Sequence, residues 1–313
     1  MSPTISVIIA TYNRSSVLHY AIRSVLDSSL MDWELIVVGD HCTDDTEACV
    51  ASFTDPRVRF VNLPHRSGDQ SAPNNCGLNL ARGRYIAFLN HDDLYLPDHL
   101  EVAVRALEQG SADLVWVPCA LASAKPGYVS AGAPCAFTLT AGPGPRGYTP
   151  FQDYPASTWV FHREFAKRVG PWERADEIFV TPGQSWIFRA HRAGTVEFLP
   201  HIGVIGISGG SRRNAYQMGD AEHARIYGWM RSDSKFREHL YEAAAIGALA
   251  NDVAHGVHHA PWTRLVRAVL RPAYALLKFL GIHPRSLNQA LVHWRRGGLI
   301  RKHRKFTGAS NEH

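Results

Sequence analysis

The sequence predicts an α/β fold with a mostly parallel sheet, followed by a helical C-terminal extension. Short apolar runs rich in branched and aromatic residues, such as 5–10 and 85–89, are typical of strands buried on both faces. Segments with apolar residues at helical spacing separate these runs, and strands that alternate with helices form parallel sheets with right-handed crossovers. No strand pattern follows residue 214. We therefore expect a sheet domain at 1–214 and a helical, basic extension at 215–313.

The composition is that of a folded globular protein. Of the 313 residues, 45% are hydrophobic and 19% are charged, which excludes a disordered chain and allows a sizeable core. The five cysteines show no CxxC spacing, which favours a reduced, cytosolic compartment. We recognise no signal peptide and no stretch of roughly 18 uncharged apolar residues that would span a membrane. The net charge of +5 is concentrated near the C-terminal end.

The individual elements follow from hydrophobic periodicity and turn residues. Between 118 and 155 the pattern dissolves into Gly, Pro, Ser and Ala, and a loop of that length inside a compact domain is usually functional or mobile. The predicted strands are 5–10, 34–38, 58–63, 85–89, 113–117, 158–161, 196–199 and 203–207. The predicted helices begin near Ser15, Thr43, Gln70, Pro97, Arg163 and Gln184.

A polar tetrad, Asn90-His91-Asp92-Asp93, directly follows the central strand. Adjacent carboxylates repel one another unless a cation or solvent lies between them, and Mg²⁺ typically takes one or two carboxylates plus substrate phosphates. Ligands of open α/β sheets bind outside the carboxyl ends of the strands, where this tetrad falls. The alternative is a solvated turn, with Pro97 opening the next helix.

Three motifs carry a resemblance to a known family. The runs 6–14, 40–46 and 83–93 resemble family 2 glycosyltransferases with the GT-A fold, a Rossmann-like sheet flanked by helices, over roughly the first two hundred residues. The resemblance implies transfer of a sugar from a nucleotide diphosphate donor, expected to be UDP-linked, usually with inversion and with Mn²⁺ or Mg²⁺. It also implies a carbohydrate or a lipid-linked glycan as the acceptor. No GxGxxG follows the first strand, which argues against a dehydrogenase.

The resemblance assigns donor-binding positions at the strand ends. Tyr12 is expected to flank the base, and Asp40 matches the family's acidic position for base or ribose, unless it belongs to a simple helix-capping loop. The stretch from Asp69 to Asn75 corresponds to a segment beside the sugar nucleotide, although Asn75 also suits a structural role in a helix. The expected donor-binding residues are Thr11, Tyr12, Arg14, Asp40, Asp69, Asn75, Asn90, His91 and Asp92.

The metal site is expected at the tetrad. Where the family has an Asp that helps to hold ribose and metal, this chain has Asn90. Asp92 is then the best metal ligand, with Asp93 supporting it, and His91 is either a ligand or a polar loop residue. The family's metal-binding His after the last strand would fall near Ser208, with His201 close by.

The catalytic base is the main departure from the family pattern. The resemblance implies an Asp at the start of a helix, and that position is Ser185 here. A serine hydroxyl does not act as a general base at neutral pH. Asp176 and Glu177 are the nearest substitutes, and Asp153 is another. Otherwise Ser185 merely caps the helix, and the protein is a catalytically weak sugar-nucleotide binder. A nucleotidyltransferase is the rival enzyme of the same fold.

The C-terminal extension carries basic and apolar residues at helical spacing. A basic face beside an apolar one is the pattern of a helix in the membrane interface. The alternative is a helix packed on the catalytic domain with a solvated charged face. We expect no nucleic acid partner, because no recognition motif accompanies the charge. We expect a cytoplasmic protein that is peripheral at the inner face of the membrane. The basic residues concerned include Arg264, Arg267, Arg271, Lys278, Arg295 and Arg296.

Overall fold

The computed structural model describes residues 2–122, 129, 132–140, 148, 154–207, 219–256 and 272–295. Its strands are β1 (Ile5–Thr11), β2 (Trp33–Gly39), β3 (Val58–Asn62), β4 (Tyr85–Phe88), β5 (Asp93–Tyr95), β6 (Leu114–Trp116), β7 (Cys119–Ala122), β8 (Phe137–Leu139), β9 (Trp159–His162), β10 (Val196–Phe198) and β11 (Val204–Ile207). Its helices are α1 (Ser15–Leu26), α2 (Thr46–Ala51), α3 (Ser71–Leu80), α4 (His99–Gln109), α5 (Arg163–Val169), α6 (Pro182–Ala193), α7 (Ala221–Ser232), α8 (Phe236–Gly256) and α9 (Pro284–Arg295), with further helical residues at 272–279.

The main sheet has seven strands in the order β10-β6-β9-β4-β1-β2-β3. Its pairs are parallel except at β9, which runs antiparallel between β4 and β6. The expected mostly parallel sheet is therefore confirmed. Gly83 allows β4 to start close to β1, since a Cβ at this position would lie 2.5 Å from the backbone nitrogen of Ser6.

Alternating side chains of the main sheet enter two separate cores. One core joins Val7 and Ile9 of β1 to Leu18 of α1 and Leu107 of α4. The opposite face carries Ile8 and packs against the aromatic residues of β9, α5 and α6. Because both faces are covered, the strands are continuous apolar runs, as the sequence predicts for a parallel sheet.

A second, four-stranded sheet has the order β5-β11-β7-β8. Two of its strands, β7 and β8, lie within 118–155, where we predicted no regular structure, so that prediction is wrong at both strands. They have only three or four residues, too few to establish a period. Pairing stabilises them, because β7 pairs with the distant β11 and β8 pairs with β7. Strand β5 was also not predicted, and it begins at Asp93, the last residue of the tetrad. Helix α4 begins at His99 rather than at Pro97.

Helices α7 and α8 pack against this second sheet. Leu240 and Ala244 of α8 are fully buried in a core shared with Phe137 of β8 and Ile205 of β11. Gly247 permits the contact, because a Cβ there would lie 1.6 Å from the carbonyl oxygen of Phe137. Among the described residues, none of the helices combines the length and the apolar character that crossing a membrane requires.

Candidate functional site

The carboxyl ends of three neighbouring strands bring most of the candidate residues to one edge of the main sheet. β1 lies between β2 and β4 and is parallel to both, so all three strands end at the same edge. Thr11, the last residue of β1, pairs with Gly39, the last of β2. Asp40 directly follows β2, and the tetrad at 90–93 follows β4 after one residue. This common edge is the candidate site.

The turn after β1 forms one wall of the edge. Asn13 has a left-handed φ of 48°, which asparagine tolerates, and its Oδ1 accepts a hydrogen bond from the backbone nitrogen of Thr43 at 2.8 Å. The guanidinium of Arg66 lies 4.1 Å from the centre of the Tyr12 ring, a cation–π contact. Arg66 therefore brings a positive charge to Tyr12, and the sequence did not reveal it because the two residues are distant along the chain.

The carboxylate of Asp40 is buried and binds the turn that leads into α3. Its Oδ1 accepts hydrogen bonds from the backbone nitrogen and the hydroxyl of Ser67, both at 2.7 Å, and its Oδ2 accepts from the backbone nitrogen of Gly68 at 2.8 Å. Gly68 has a φ of 84°, a conformation that favours glycine. The simple helix-capping alternative does not describe these contacts. Oδ2 accepts one bond here and has capacity for another donor.

Asp69 and Asn75 both hold the segment 172–175. Asp69 Oδ2 accepts from the backbone nitrogen of Ala175 at 2.8 Å. Asn75 makes two bonds with the backbone of Trp172: its Nδ2 donates to the carbonyl oxygen at 3.0 Å, and its Oδ1 accepts from the nitrogen at 2.8 Å. These contacts support the structural alternative for Asn75. The expected donor contact of either residue stays a prediction.

Within the tetrad, Asn90 and Asp93 are joined in a polar network. Oδ2 of Asp93 accepts from Nδ2 of Asn90 at 2.8 Å and from the Ser157 hydroxyl at 2.5 Å. The same hydroxyl accepts from the backbone nitrogen of Asn90 at 3.0 Å. Burial and the neighbouring Asp92 raise the pKa of the Asp93 carboxyl well above its usual range, and the bonds from Ser157 and Asn90 oppose this rise. Asp93 thus shapes the turn.

Asp92 and His91 sit beside the buried Arg14. Burial raises the pKa of the Asp92 carboxyl, and the positive charge of Arg14 opposes that rise. Burial and, to a smaller extent, the positive charge of Arg14 lower the pKa of the His91 ring to about 4, so the ring is neutral at pH 7. A second histidine, His223 of α7, donates from Nε2 to the carbonyl oxygen of Asp92 at 3.1 Å. The sequence gives no signal for His223, because this residue lies beyond the resemblance.

The tetrad carries the carboxylate oxygens that a divalent cation prefers. Asp92 and Asp93 are adjacent carboxylates whose charged forms burial disfavours, and a cation between them would remove that penalty. Across the described residues we find no group of three or more His, Cys, Asp and Glu side chains arranged to hold a metal. One or two carboxylates with substrate phosphates are nevertheless the usual Mg²⁺ arrangement.

The carboxylate that contacts Ser185 belongs to Glu173, which is not among the residues predicted from the sequence. Ser185 lies in the first turn of α6, which begins with a capping box between Thr181 and Gln184. The Ser185 hydroxyl donates to Oε2 of Glu173, and Nε of Arg189 lies 3.5 Å from the same oxygen. The Glu173 side chain is 40% exposed, so solvent or a ligand can reach it. A glutamate nine residues before the helix gave no motif signal.

The other candidates for the base and for the metal ligand lie elsewhere or outside the described residues. Asp176 pairs with Arg174, whose Nε donates to Oδ1 at 3.0 Å, and Glu177 is exposed in the same loop. His201 Nε2 lies 3.3 Å from Oδ2 of Asp98 rather than at the tetrad. Two further candidates, at 153 and 208, are not among the residues that the structure describes.

Comparison with known proteins identifies the family. The model of "Glycosyl transferase family 2" matches residues 6–170. The chain belongs to this family of glycosyltransferases. A relative from Escherichia coli, "UDP-Glc:alpha-D-GlcNAc-diphosphoundecaprenol beta-1,3-glucosyltransferase", is 30% identical over 112 residues, 36% of this chain and 44% of that protein. The matches to the first curated relatives cover only 32%, 35% and 44% of their lengths.

Solved structures confirm the fold. The structure of Staphylococcus aureus TarS 1–349 with UDP-GlcNAc aligns with a TM-score of 0.55 at 15% identity, over 95% of this chain and 92% of that one. A mannosyltransferase from Pyrobaculum calidifontis with GDP-Man and Mn²⁺ aligns with a TM-score of 0.51 at 15% identity, over 93% of this chain and 87% of that one. The chain has the GT-A fold, and enzymes of this family and fold generally use a divalent metal.

Proposed function

We propose that this chain transfers a sugar from a UDP-linked donor to a growing polysaccharide or a lipid-linked glycan. The observation that carries the proposal is the meeting of Tyr12, Asp40 and the tetrad at one edge of a parallel sheet. A nucleotide diphosphate needs a surface for its base, an acceptor for base or ribose hydrogens, and positive charge for its phosphates. The donor and acceptor in the name of the Escherichia coli relative support the substrate classes.

Each part of the donor has a matching group at this edge. The Tyr12 ring flanks the base, and Arg66 stacked on it supplies positive charge at the rim. Asp40 accepts from the uracil or the ribose through the remaining capacity of Oδ2. Arg14 contributes a buried positive charge beside Asp92. Thr11 ends β1 at the floor of the site.

Asp92, with Asp93 in support, would hold Mn²⁺ or Mg²⁺ in this proposal. The metal supplies positive charge that stabilises the diphosphate as it leaves. Asn90 and Ser157 keep the turn in shape through their bonds to Asp93. The Mn²⁺ in the mannosyltransferase structure supports the choice of a divalent ion.

Ser185 supports a second candidate function, a sugar-nucleotide binder with weak catalysis. A nucleotidyltransferase remains the rival enzyme. The test incubates the purified chain with UDP-glucose, UDP-GlcNAc or GDP-mannose and with GlcNAc-diphosphoundecaprenol as acceptor, in MnCl₂ or in EDTA. UDP binding is measured separately by titration calorimetry, and parallel reactions contain UTP and a sugar 1-phosphate in place of the donor. We expect metal-dependent transfer from one UDP-sugar. UDP binding without transfer would favour the binder, and formation of a UDP-sugar from UTP and a sugar 1-phosphate would favour the nucleotidyltransferase.

We further propose a cytoplasmic protein whose residues 272–295 contact the inner face of the membrane. Phe279 is 81% exposed and Trp294 is 78% exposed, which is unusual for side chains of this size. Basic neighbours such as Arg285 would attract anionic lipid. None of the five cysteines, all in the described part, forms a disulfide, which supports a reducing compartment. Other exposed apolar side chains of the segment are Leu276, Leu280, Ile282, Leu287 and Leu291.

A further inference from the structure

Glu173 lies in a segment, 172–175, that is anchored to the start of α3. The backbone oxygen of Glu173 accepts from the Ser71 hydroxyl at 2.7 Å. Asn75 binds the residue before it through two hydrogen bonds, and Asp69 binds the backbone two residues after it. Both sides of Glu173 are therefore fixed to the helix that follows the Asp40-bound turn.

The same segment lies beside the end of the central strand. The ring of Trp172 is 5.1 Å from that of Phe88, the last residue of β4, and the tetrad begins at Asn90. Trp172 also stacks on Trp186 of α6, with ring centres 5.9 Å apart. Glu173 is thus held between the tetrad end of β4 and the first turn of α6, where a carboxylate of this family is expected.

Two side chains of α6 hold the carboxylate itself. Ser185 donates to Oε2, and Nε of Arg189 lies 3.5 Å from that same oxygen. The Arg189 guanidinium is fixed in turn by the carbonyl oxygens of Val169, at 2.8 Å, and Pro171, at 2.6 Å. Both contacts engage Oε2 and leave Oε1 to face another group. A carboxylate oxygen that is held in place and open to a ligand suits a general base, which must lie within hydrogen-bond reach of the proton that it takes.

We propose that Glu173 is the catalytic base of the transfer and that Ser185 is a positioning residue for it. The acceptor oxygen forms a bond to the anomeric carbon, the bond from that carbon to the diphosphate breaks, and UDP leaves with the electron pair. The hydroxyl proton moves to Oε1 of Glu173. A carboxylate from the segment before α6 thereby replaces the aspartate that this chain lacks at Ser185. This inference rests on the proposed function.

The carboxylates predicted from sequence are oriented differently. Both oxygens of Asp176 accept from Arg174, at 3.0 and 3.2 Å, within their own loop. The Glu177 side chain is exposed. These two residues are therefore suitable controls, since they lie close to Glu173 in sequence and carry the same charge.

The test compares Glu173→Gln with Asp176→Asn and Glu177→Gln. Transfer from the UDP-sugar that the wild type uses to GlcNAc-diphosphoundecaprenol is measured with Mn²⁺, and UDP affinity is measured by titration calorimetry. We expect Glu173→Gln to lower kcat by about 10²–10⁴-fold, the usual contribution of general-base catalysis, with UDP affinity and Tm unchanged. The two controls should keep the wild-type kcat. A wild-type rate in Glu173→Gln, or an equal loss in either control, would overturn the assignment.

Moving the carboxylate from position 173 to position 185 tests whether Glu173 acts in catalysis or only in structure. Because the Ser185 hydroxyl contacts Glu173, a carboxylate at 185 reaches the same region, so Glu173→Gln/Ser185→Asp should recover part of the lost kcat. Ser185→Asp alone should give no gain, since it would set two carboxylates side by side. A double variant as inactive as Glu173→Gln would contradict the proposal. A wild type that binds UDP but transfers no sugar would refute the proposed function, whereas transfer that survives Glu173→Gln would refute only this inference.

Discussion

Asn75 provides a sharp test of whether α3 contacts the donor or positions the base. In the structure its side chain makes two hydrogen bonds with the backbone of Trp172, at 3.0 and 2.8 Å. The substitution Asn75→Ala removes both bonds and leaves the Trp172 backbone groups without these partners. The next residue is Glu173, so its carboxylate should lose its fixed position while the Asp40 turn and the tetrad stay in place.

The expected loss of stability follows from the two lost hydrogen bonds. A neutral hydrogen bond contributes about 0.5–1.5 kcal/mol to stability, so the pair is worth about 1–3 kcal/mol. Trp172 is buried, at 2% exposure, so water does not readily replace the lost partners. A loss of this size should lower Tm by a few degrees, since 1 kcal/mol shifts Tm by roughly 2–4 °C in chains of 150–250 residues. We also expect kcat to fall.

The assays are scanning calorimetry, UDP titration and transfer kinetics, with Asn79→Ala as the control. Asn79 is on the same helix and is exposed, so its loss should leave all three readings unchanged. For Asn75→Ala we expect a lower Tm and a lower kcat with an unchanged dissociation constant for UDP. An unchanged Tm together with weaker UDP binding would refute the positioning role of Asn75. It would make Asn75 a donor contact, as the family resemblance implies.

Asp92→Ala should abolish the Mn²⁺ dependence of UDP binding and leave Tm unchanged, because Asp92 lies in a turn outside the core; equal UDP affinity with and without Mn²⁺ in the wild type would contradict this. Trp186→Ala should lower the free energy of unfolding by about 3–5 kcal/mol, the usual cost for a buried tryptophan, and a loss near zero in denaturant titration would mean that the cavity closes. Burial lowers the pKa of the His99 ring to about 3 from its usual 6.5, so the unfolded chain binds a proton that the folded chain does not. Stability should therefore fall as pH drops from 6.5 towards 3, and calorimetry should find a smaller loss in His99→Phe; equal pH profiles would refute this cause. Phe279→Ser should reduce co-sedimentation with phosphatidylglycerol vesicles more than with phosphatidylcholine vesicles, and unchanged sedimentation with both would argue against membrane contact through this side chain.

The sequence by itself determined the sheet strands and the edge at which they end. Hydrophobic runs such as Ile5–Thr11 and Trp33–Gly39 are local signals, and parallel strands with covered faces leave polar residues only at their ends. The tetrad and Asp40 were found this way, and the motif order was enough to identify the family. The short strands β7 and β8 were not predicted, because they are too short to show a hydrophobic period and depend on pairing with distant residues.

Only the tertiary structure decided which side chains meet at the site. Glu173 reaches Ser185, Arg66 stacks on Tyr12, and His223 approaches Asp92, although none of these pairs has a sequence signal. Such contacts depend on how separate elements pack, whereas periodicity describes one element at a time. The sequence therefore exposed the missing aspartate at Ser185, and the packing of the segment before α6 supplied the carboxylate beside it.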